Sequence, residues 1–398
     1  MKGKNQRVHI GIFGRRNYGK STTINAIVGQ EIAIVSDVPG TTTDPVKKTM
    51  EISGIGPVVF IDTAGIDDIG TLGKSRIDKT FEILDQIDIA ILLISNNLFD
   101  EKESNLISNF EQRKIPYIII YNKSDVYPPS QKFISDLEEK INKNIIVWSA
   151  LEDNTDTIIE NLKEKVQEVE KNFSNDMMSD LIDNNDLVIL VTPIDEAAPE
   201  GRLILPQVQA IRNVLDHNAF SIVCKVEQLE NVLKSINTKP SIVVTDSKVF
   251  HNVSSIIEKY DNTIRLTGFS ILLARLKGNF EKYKEGNPKL KDLKDGDKIL
   301  ILESCTHKTT CNDIGSVVLP NAIKKFTGKD LIFDKISGFT PLPNNLKDYS
   351  LIIQCGGCMF TKKQLESRLR LAIEQNIPIT NYGMVFAYIN GLWKAVNI

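Results

Sequence analysis

The chain has 398 residues, 41% hydrophobic and 25% charged, the composition of globular domains rather than of a disordered or fibrous chain. That length exceeds what one ordinary core supports and points to two or three domains. Lysine and arginine number 48 against 51 aspartates and glutamates, a net charge of −3, which argues against a whole-protein electrostatic grip on nucleic-acid phosphates.

The opening segment MKGKNQRVHIGIFG holds too short an apolar run for a signal peptide, and no stretch reaches the length that spans a bilayer. A cytoplasmic chain with no membrane partner is therefore expected. Four of the five cysteines lie beyond residue 300. An odd, clustered set in so long a chain points to reactive or metal-binding thiols and not to a disulfide framework.

From Arg7 to about Lys171, apolar runs at 8–13, 57–61, 87–95, 117–121 and 145–148 alternate with longer amphipathic stretches. This is the rhythm of a parallel sheet buried on both faces. After the first run, residues 14–21 read GRRNYGKS, a G-x-x-x-x-G-K-S loop. Between a strand and a helix, Gly14 and Gly19 let backbone N–H groups wrap phosphates, Lys20 reaches the β and γ oxygens, and Ser21 holds magnesium; Thr22 completes the set. The GTTTD loop at 40–44 suits a switch whose threonine, Thr41 or Thr42, meets magnesium and the γ-phosphate. Asp62 ends the next run, where it serves magnesium through water, and the Gly65 amide senses the γ-phosphate.

Asn122, Lys123 and Asp125 follow the run YIIIY. Asp125 accepts from the guanine N1 and N2 donors, which adenine lacks, and Lys123 packs on the ring; Ser149 and Ala150, after IIVW, meet guanine O6. A buried carboxylate left unpaired is costly, so GTP is selected over ATP. Lys20, Thr42 and Gly65 form the expected catalytic group for hydrolysis to GDP and phosphate. Ile66 stands where Ras-like enzymes keep a water-orienting glutamine, which predicts a slow intrinsic rate. The GTTTD loop, the DTAG box and Asn17 resemble the TrmE-Era branch of GTPases. In potassium-activated members of that branch an asparagine at this loop position helps hold a monovalent cation, and the resemblance carries that role to Asn17 and so adds it to the catalytic group.

Residues 151–185 read as a helix with an Asn/Asp-rich exit. Further strand-like runs follow at 187–192, 220–226, 241–245 and 264–267, with a helical pattern at 206–216, and then at 298–303, 349–354 and 378–382. The apolar segment 203–215 suits either a self-association surface or a helix packed on its own sheet. Cys305 and His307 follow KILILE, and Cys355 and Cys358 follow YSLIIQ, both at strand ends where a parallel sheet converges its loops. These ligands fit zinc, an iron–sulfur cluster or a redox thiol pair alike. Three thiolates on a four-iron cluster leave one iron open. Cys311 reads as a bystander, Cys224 as a small buried apolar residue, and His217 and His251 lack ligand-like spacing.

TTTDPV at 41–46, TPIDEAAPEGRLILPQVQAIR at 192–212, CTH at 305–307 with DIG at 313–315, and CGGC at 355–358 together resemble the HydF family of FeFe-hydrogenase maturation GTPases. The likeness covers essentially the whole chain. It implies an α/β protein of three domains: an N-terminal P-loop GTPase domain with a mostly parallel sheet (1–172), then two smaller α/β domains, one for dimerisation (180–265) and one binding an iron–sulfur cluster (266–398). It implies a 4Fe-4S cluster on Cys305, Cys355 and Cys358, with His307 a ligand, a donor to sulfide or merely structural. GTP, Mg2+ and K+ are the other implied cofactors. The implied role is a homodimeric scaffold that receives a diiron precursor built with the radical-SAM maturases HydE and HydG and delivers it to apo FeFe-hydrogenase. Many members carry histidine where this chain has Gln354, so the fourth iron site is expected to be exchangeable, filled by water or by Asp195, Glu196 or Glu200. The rivals are an RNA-binding or tRNA-modifying GTPase of the TrmE-Era branch and a GTPase switch with a structural zinc. Near-neutral charge and the lack of a G-x-x-G loop with basic flanks in the last domain speak against nucleic acid as a partner.

Overall fold

The computed structural model describes residues 7–28, 46–52, 54–67, 82–152, 154–171, 176–194, 203–304, 313–357, 360–391 and 393. They fall into two compact units, one ending at Phe173 and one starting at Ser174.

The first unit is built on six strands, β1 (Val8–Gly14), β2 (Val46–Ile52), β3 (Gly56–Asp62), β4 (Ile89–Ile94), β5 (Tyr117–Tyr121) and β6 (Ile145–Val147), in the order β2-β3-β1-β4-β5-β6. All neighbours are parallel except β2 with β3. Helices α1 (Lys20–Val28), α2 (Glu101–Gln112), α3 (Gln131–Ile141) and α4 (Asp156–Lys171) cover the faces. The central strand explains the continuous apolar run: every residue of IAILLI is buried. Successive side chains point to opposite faces, so Ile91 packs with Ile24, Ile158 and Leu162, while Leu92 packs with Leu106, Phe110 and Leu137. Each such burial contributes roughly 1.5–3 kcal/mol. Helix α2 starts at a capping box, Asp100 accepting from Lys102 N and Glu103 accepting from Asp100 N.

The second unit holds two four-stranded parallel sheets. One comprises β7 (Leu187–Val191), β8 (Phe220–Cys224), β9 (Ile242–Thr245) and β10 (Arg265–Gly268), in the order β10-β9-β7-β8. Its helices are α5 (Leu205–Asp216), α6 (Val226–Ser235), α7 (Phe250–Tyr260) and α8 (Phe269–Lys277). The other comprises β11 (Lys298–Glu303), β12 (Ile332–Ser337), β13 (Tyr349–Gln354) and β14 (Ile379–Asn381), in the order β12-β11-β13-β14. Around it lie α9 (Phe280–Gly286), α10 (Leu319–Thr327), α11 (Lys362–Glu374) and α12 (Tyr382–Ile389). Helix α5 packs Ala210 and Val214 on its own sheet and leaves Val208 and Leu215 exposed.

Helix α8 is buried at seven of its nine positions, Lys277 among them, and serves both cores. Phe269, Leu272, Leu273 and Leu276 pack with Val188 and Val244 of the first sheet, and Ile271 and Ala274 pack with Leu300 and Ile352 of the second. A helix buried on nearly every face is apolar at most of its positions.

Two strands lack an apolar run, β2 (VKKTMEI) and β12 (IFDKIS). Both are edge strands, where one side and one face meet water and alternating or polar residues suffice. Among the described residues no helix is long and apolar enough to cross a membrane.

Candidate functional site

The loops after β1, β3, β5 and β6 leave from the same carboxyl edge of the first sheet, and strand order reverses beside β1, the place where open α/β sheets bind ligands. The phosphate loop needs glycine twice. Gly14 has φ +147 and a Cβ there would lie 2.7 Å from Leu93 O; Gly19 has φ +85 and its Cβ would lie 2.6 Å from Asn122 Nδ2. Asn17 also adopts positive φ, +62. Lys20 Nζ donates to the Gly14 and Arg15 carbonyls at 3.1 and 3.0 Å, and Ser21 Oγ donates to Asp62 Oδ2 at 2.6 Å. Asp62 Oδ1 is buried with no hydrogen-bond partner among the described residues. An orphaned carboxylate oxygen beside a serine hydroxyl fits an oxygen-loving divalent cation. Thr22 is exposed on the first turn of α1.

Asn122 joins the loops: its Nδ2 donates to Tyr18 O at 2.8 Å, and its Oδ1 accepts from the Ala150 amide at 3.3 Å. Asp125 is exposed, one carboxylate oxygen accepting from Ser149 Oγ at 2.8 Å. Lys123 sits at φ +60, its Cε 3.9 Å from where a Cβ on Gly19 would be. The segment after β3 packs on the phosphate loop through Ile66 N to Gly14 O, 3.3 Å, and Arg16 N to Asp67 Oδ1, 2.7 Å. Ile66 is buried.

Sequence reasoning missed Arg15. Its guanidinium is buried, donating Nε to Glu103 Oε1 at 2.7 Å and Nη2 to Glu103 Oε2 at 3.0 Å, with Asp100 at 2.5 Å. The hydrogen bond from Arg15 holds the Asp100 carboxyl down at about 2, and that to Glu103 raises Arg15 further above its ordinary range. Arg15 is therefore committed to the start of α2 and turned from the phosphate side.

At the second site, Ser304 and Cys355 follow the adjacent strands β11 and β13, again where strand order reverses. The Ser304 amide donates to Cys355 Sγ at 3.1 Å, Gln354 Nε2 donates to it at 3.4 Å, and the thiol donates to Ser304 Oγ at 3.2 Å. Two N–H donors converge on this sulfur, the outer support that metal-ligating side chains share. Gln354 is fully buried, and its Oε1 has no partner among the described residues. Tyr382 and Tyr283 beside this sulfur are pushed up, first by burial and then by the Cys355 charge. Lys277, at the end of α8, is buried and donates to the Gly357 and Phe360 carbonyls at 3.2 and 3.0 Å. Neither it nor Ser304 carried a sequence signal.

The first unit thus brings together Gly14, Asn17, Gly19, Lys20, Ser21, Asp62, Gly65, Asn122, Lys123, Asp125, Ser149 and Ala150. Thr41, Thr42, Asp195, Glu196, Glu200, Cys305, His307, Cys311 and Cys358 lie outside the described residues. Among the described ones no group of three or more His, Cys, Asp or Glu could hold a metal ion. Cys224 is buried and its thiol pushed up by that burial, as an apolar filler should be. His217 pairs with Asp176 at 2.8 Å.

Residues 281–397 match the hydrogen maturase F tetramerization domain, and residues 177–278 match the hydrogen maturase F dimerization domain. The chain belongs to the hydrogen maturase F family. Residues 9–123 match the 50S ribosome-binding GTPase domain, so in this family member the nucleotide-site geometry sits on a GTPase domain. GTPase Der of Wolinella succinogenes is 36% identical over 182 residues, 42% of this chain and 37% of its own length. The tRNA modification GTPase MnmE of Flavobacterium johnsoniae is 37% identical over 150 residues, 36% of this chain and 32% of its own length. The matched segment thus spans about a third of these curated relatives. The solved G domain of the T. maritima FeoB iron transporter aligns with 41% of the chain and 99% of its own length at 20% identity, with a TM-score of 0.32; the topology above rests on this chain's own strand pairing.

Proposed function

We propose that this hydrogen maturase F family member hydrolyses GTP to GDP and phosphate in its N-terminal unit, holds a 4Fe-4S cluster in its C-terminal part, and serves as a scaffold in FeFe-hydrogenase maturation. The observation that carries the reading is the 2.6 Å contact of Ser21 with Asp62, inside a chain whose remaining length matches hydrogen maturase F domains. Ser21 and one of Thr41 or Thr42 hold magnesium, with Asp62 acting through water; the ion, when bound, spreads the charge of the β- and γ-phosphates. Lys20, already drawn over the loop by two carbonyls, turns to the phosphate oxygens, and the Gly65 amide reads the γ-phosphate. Asp125 selects guanine, with Lys123 against the ring and Ala150 N near O6. The residue after Gly65 is a buried isoleucine, which cannot orient a water, so hydrolysis is slow and depends on potassium held by Asn17.

Cys305, Cys355 and Cys358 hold the cluster, which supplies an open iron site. The Gln354 amide nitrogen faces the Cys355 sulfur as a donor, which supports water or a middle-domain carboxylate as the exchangeable fourth ligand. Strand β8 lies at a sheet edge and exposes Phe220 by 60% and Val223 by 43%, which supports self-association as a homodimer. The precursor comes from the radical-SAM maturases HydE and HydG and passes to apo-hydrogenase, as the family assignment suggests.

Anaerobically purified protein should contain four irons with sulfide and hydrolyse GTP faster in potassium than in sodium. Added imidazole should change the spectrum of the reduced cluster. Asp125→Asn should lose GTP affinity by roughly 100-fold or more, since one acceptor oxygen becomes an NH2 donor that faces a guanine donor. A colourless protein with one zinc and no sulfide would overturn the scaffold reading.

A further inference from the structure

Helix α8 closes the middle sheet domain, as its family match ends at residue 278, yet two of its side chains, Ile271 and Ala274, belong to the core of the next sheet. Its last turn reaches the Cys355–Cys358 loop twice. Leu273 Cδ1 lies 3.6 Å from where a Cβ on Gly356 would stand. Lys277 Nζ donates to the carbonyls of Gly357 and Phe360, which bracket the second cysteine of the pair, at 3.2 and 3.0 Å. Gly357 holds positive φ, +66, and a Cβ there would meet Leu365 at 2.5 Å, so the backbone at Gly357 is closely packed where it presents its carbonyl to Lys277.

Lys277 is only 5% exposed. Burying an ammonium costs several kcal/mol, and a fold that keeps one uses it. A methionine or leucine would fill this buried position without that cost. What the lysine adds is hydrogen bonds to the Gly357 and Phe360 carbonyls and a fixed positive charge beside the segment that carries the second cysteine pair. A cation fixed in a low-dielectric surround favours the more negative of two charge states nearby.

We infer that Lys277 is a positioning residue for the thiol site: it ties the Gly357 and Phe360 carbonyls to the helix shared with the dimerisation domain, and its charge raises the reduction potential of the cluster held there. This rests on the cluster reading above. It also gives self-association a physical route to the iron site, because α8 has no freedom to shift without carrying the loop's two carbonyl contacts.

The test uses the full chain, loaded anaerobically with iron and sulfide, as wild type, Lys277→Arg and Lys277→Gln. Glutamine keeps a donor but drops the charge; arginine keeps the charge. Iron and sulfide content are measured first, then the midpoint of the one-electron couple by EPR-monitored titration with dithionite. The expected result is that Lys277→Gln shifts the oxidised-to-reduced equilibrium at least tenfold toward the oxidised form, ~59 mV lower for one electron, while Lys277→Arg stays within threefold of wild type. Loss of iron in the glutamine variant alone supports the assignment equally. Variants that both match wild type in iron content and midpoint overturn it, as does equal loss of iron from both. A wild-type chain that takes up no iron and sulfide removes the cluster reading itself, a result distinct from either.

Discussion

Glu103 accepts two hydrogen bonds from the guanidinium of Arg15, at 2.7 and 3.0 Å, with none of its side chain exposed. The pair ties the second residue of the phosphate loop to the first turn of α2, and Glu103 also closes that helix's capping box. Breaking a buried pair from one side leaves an uncompensated charge and costs about 3–5 kcal/mol. Arg15→Met should lose about that much in urea denaturation of the full chain and weaken fluorescent-GDP binding roughly tenfold, because the Arg15 carbonyl also receives Lys20. The double variant Arg15→Met with Glu103→Leu should recover part of the stability. A single variant as stable as wild type would contradict the pairing.

Asp100 gives this contact a pH signature. Its carboxyl is held at about 2 against an ordinary 3.8, first by the hydrogen bond from Arg15. A folded-state value below the unfolded one means stabilisation that is complete above 3.8 and fades as pH falls toward 2. Wild type should therefore outlast Asp100→Asn in thermal denaturation near neutral pH, with the gap closing across that acid window. A gap that persists at the acid end counts against the assignment.

Gly19→Ala combines two faults, a left-handed backbone and a methyl placed 2.6 Å from Asn122 Nδ2. Strain of this kind costs about 1–3 kcal/mol. Since Asn122 would be pushed from Tyr18 O, nucleotide affinity should drop at least tenfold in a fluorescence titration. Unchanged affinity would mean that the contact does not shape the pocket.

The β8 edge should respond to charge. Val223→Lys places an ammonium on an exposed apolar strand, a device that blocks edge pairing. Light scattering behind gel filtration should show a lower mass for this variant at equal concentration, and an unaltered mass would move the self-association surface elsewhere.

How far the sequence led depended on whether the signal was local. β4 was readable because burial on both faces demands an unbroken apolar run, and the phosphate loop because its glycines, lysine and serine sit within eight positions. β2 and β12 were hidden, since edge strands tolerate polar residues. Arg15 and Glu103 are 88 positions apart, and Lys277 and Phe360 are 83. Nothing in a single sequence marks which arginine or lysine is turned inward, because that is decided by where the packed helices bring distant loops. The family resemblance reached further than composition or periodicity: matches to hydrogen maturase F domains cover the chain from residue 177 onward.

Asn122 spends one side chain on both halves of the nucleotide pocket, its nitrogen on the phosphate loop and its oxygen on the Ala150 amide. The two loops are therefore expected to open as a single cooperative unit, with one opening free energy in place of two. In hydrogen–deuterium exchange, the Ala150 amide and those of the phosphate loop should share a common protection factor. Bound nucleotide should raise that factor for all of them together, and Asn122→Ala should split them into two separately exchanging groups.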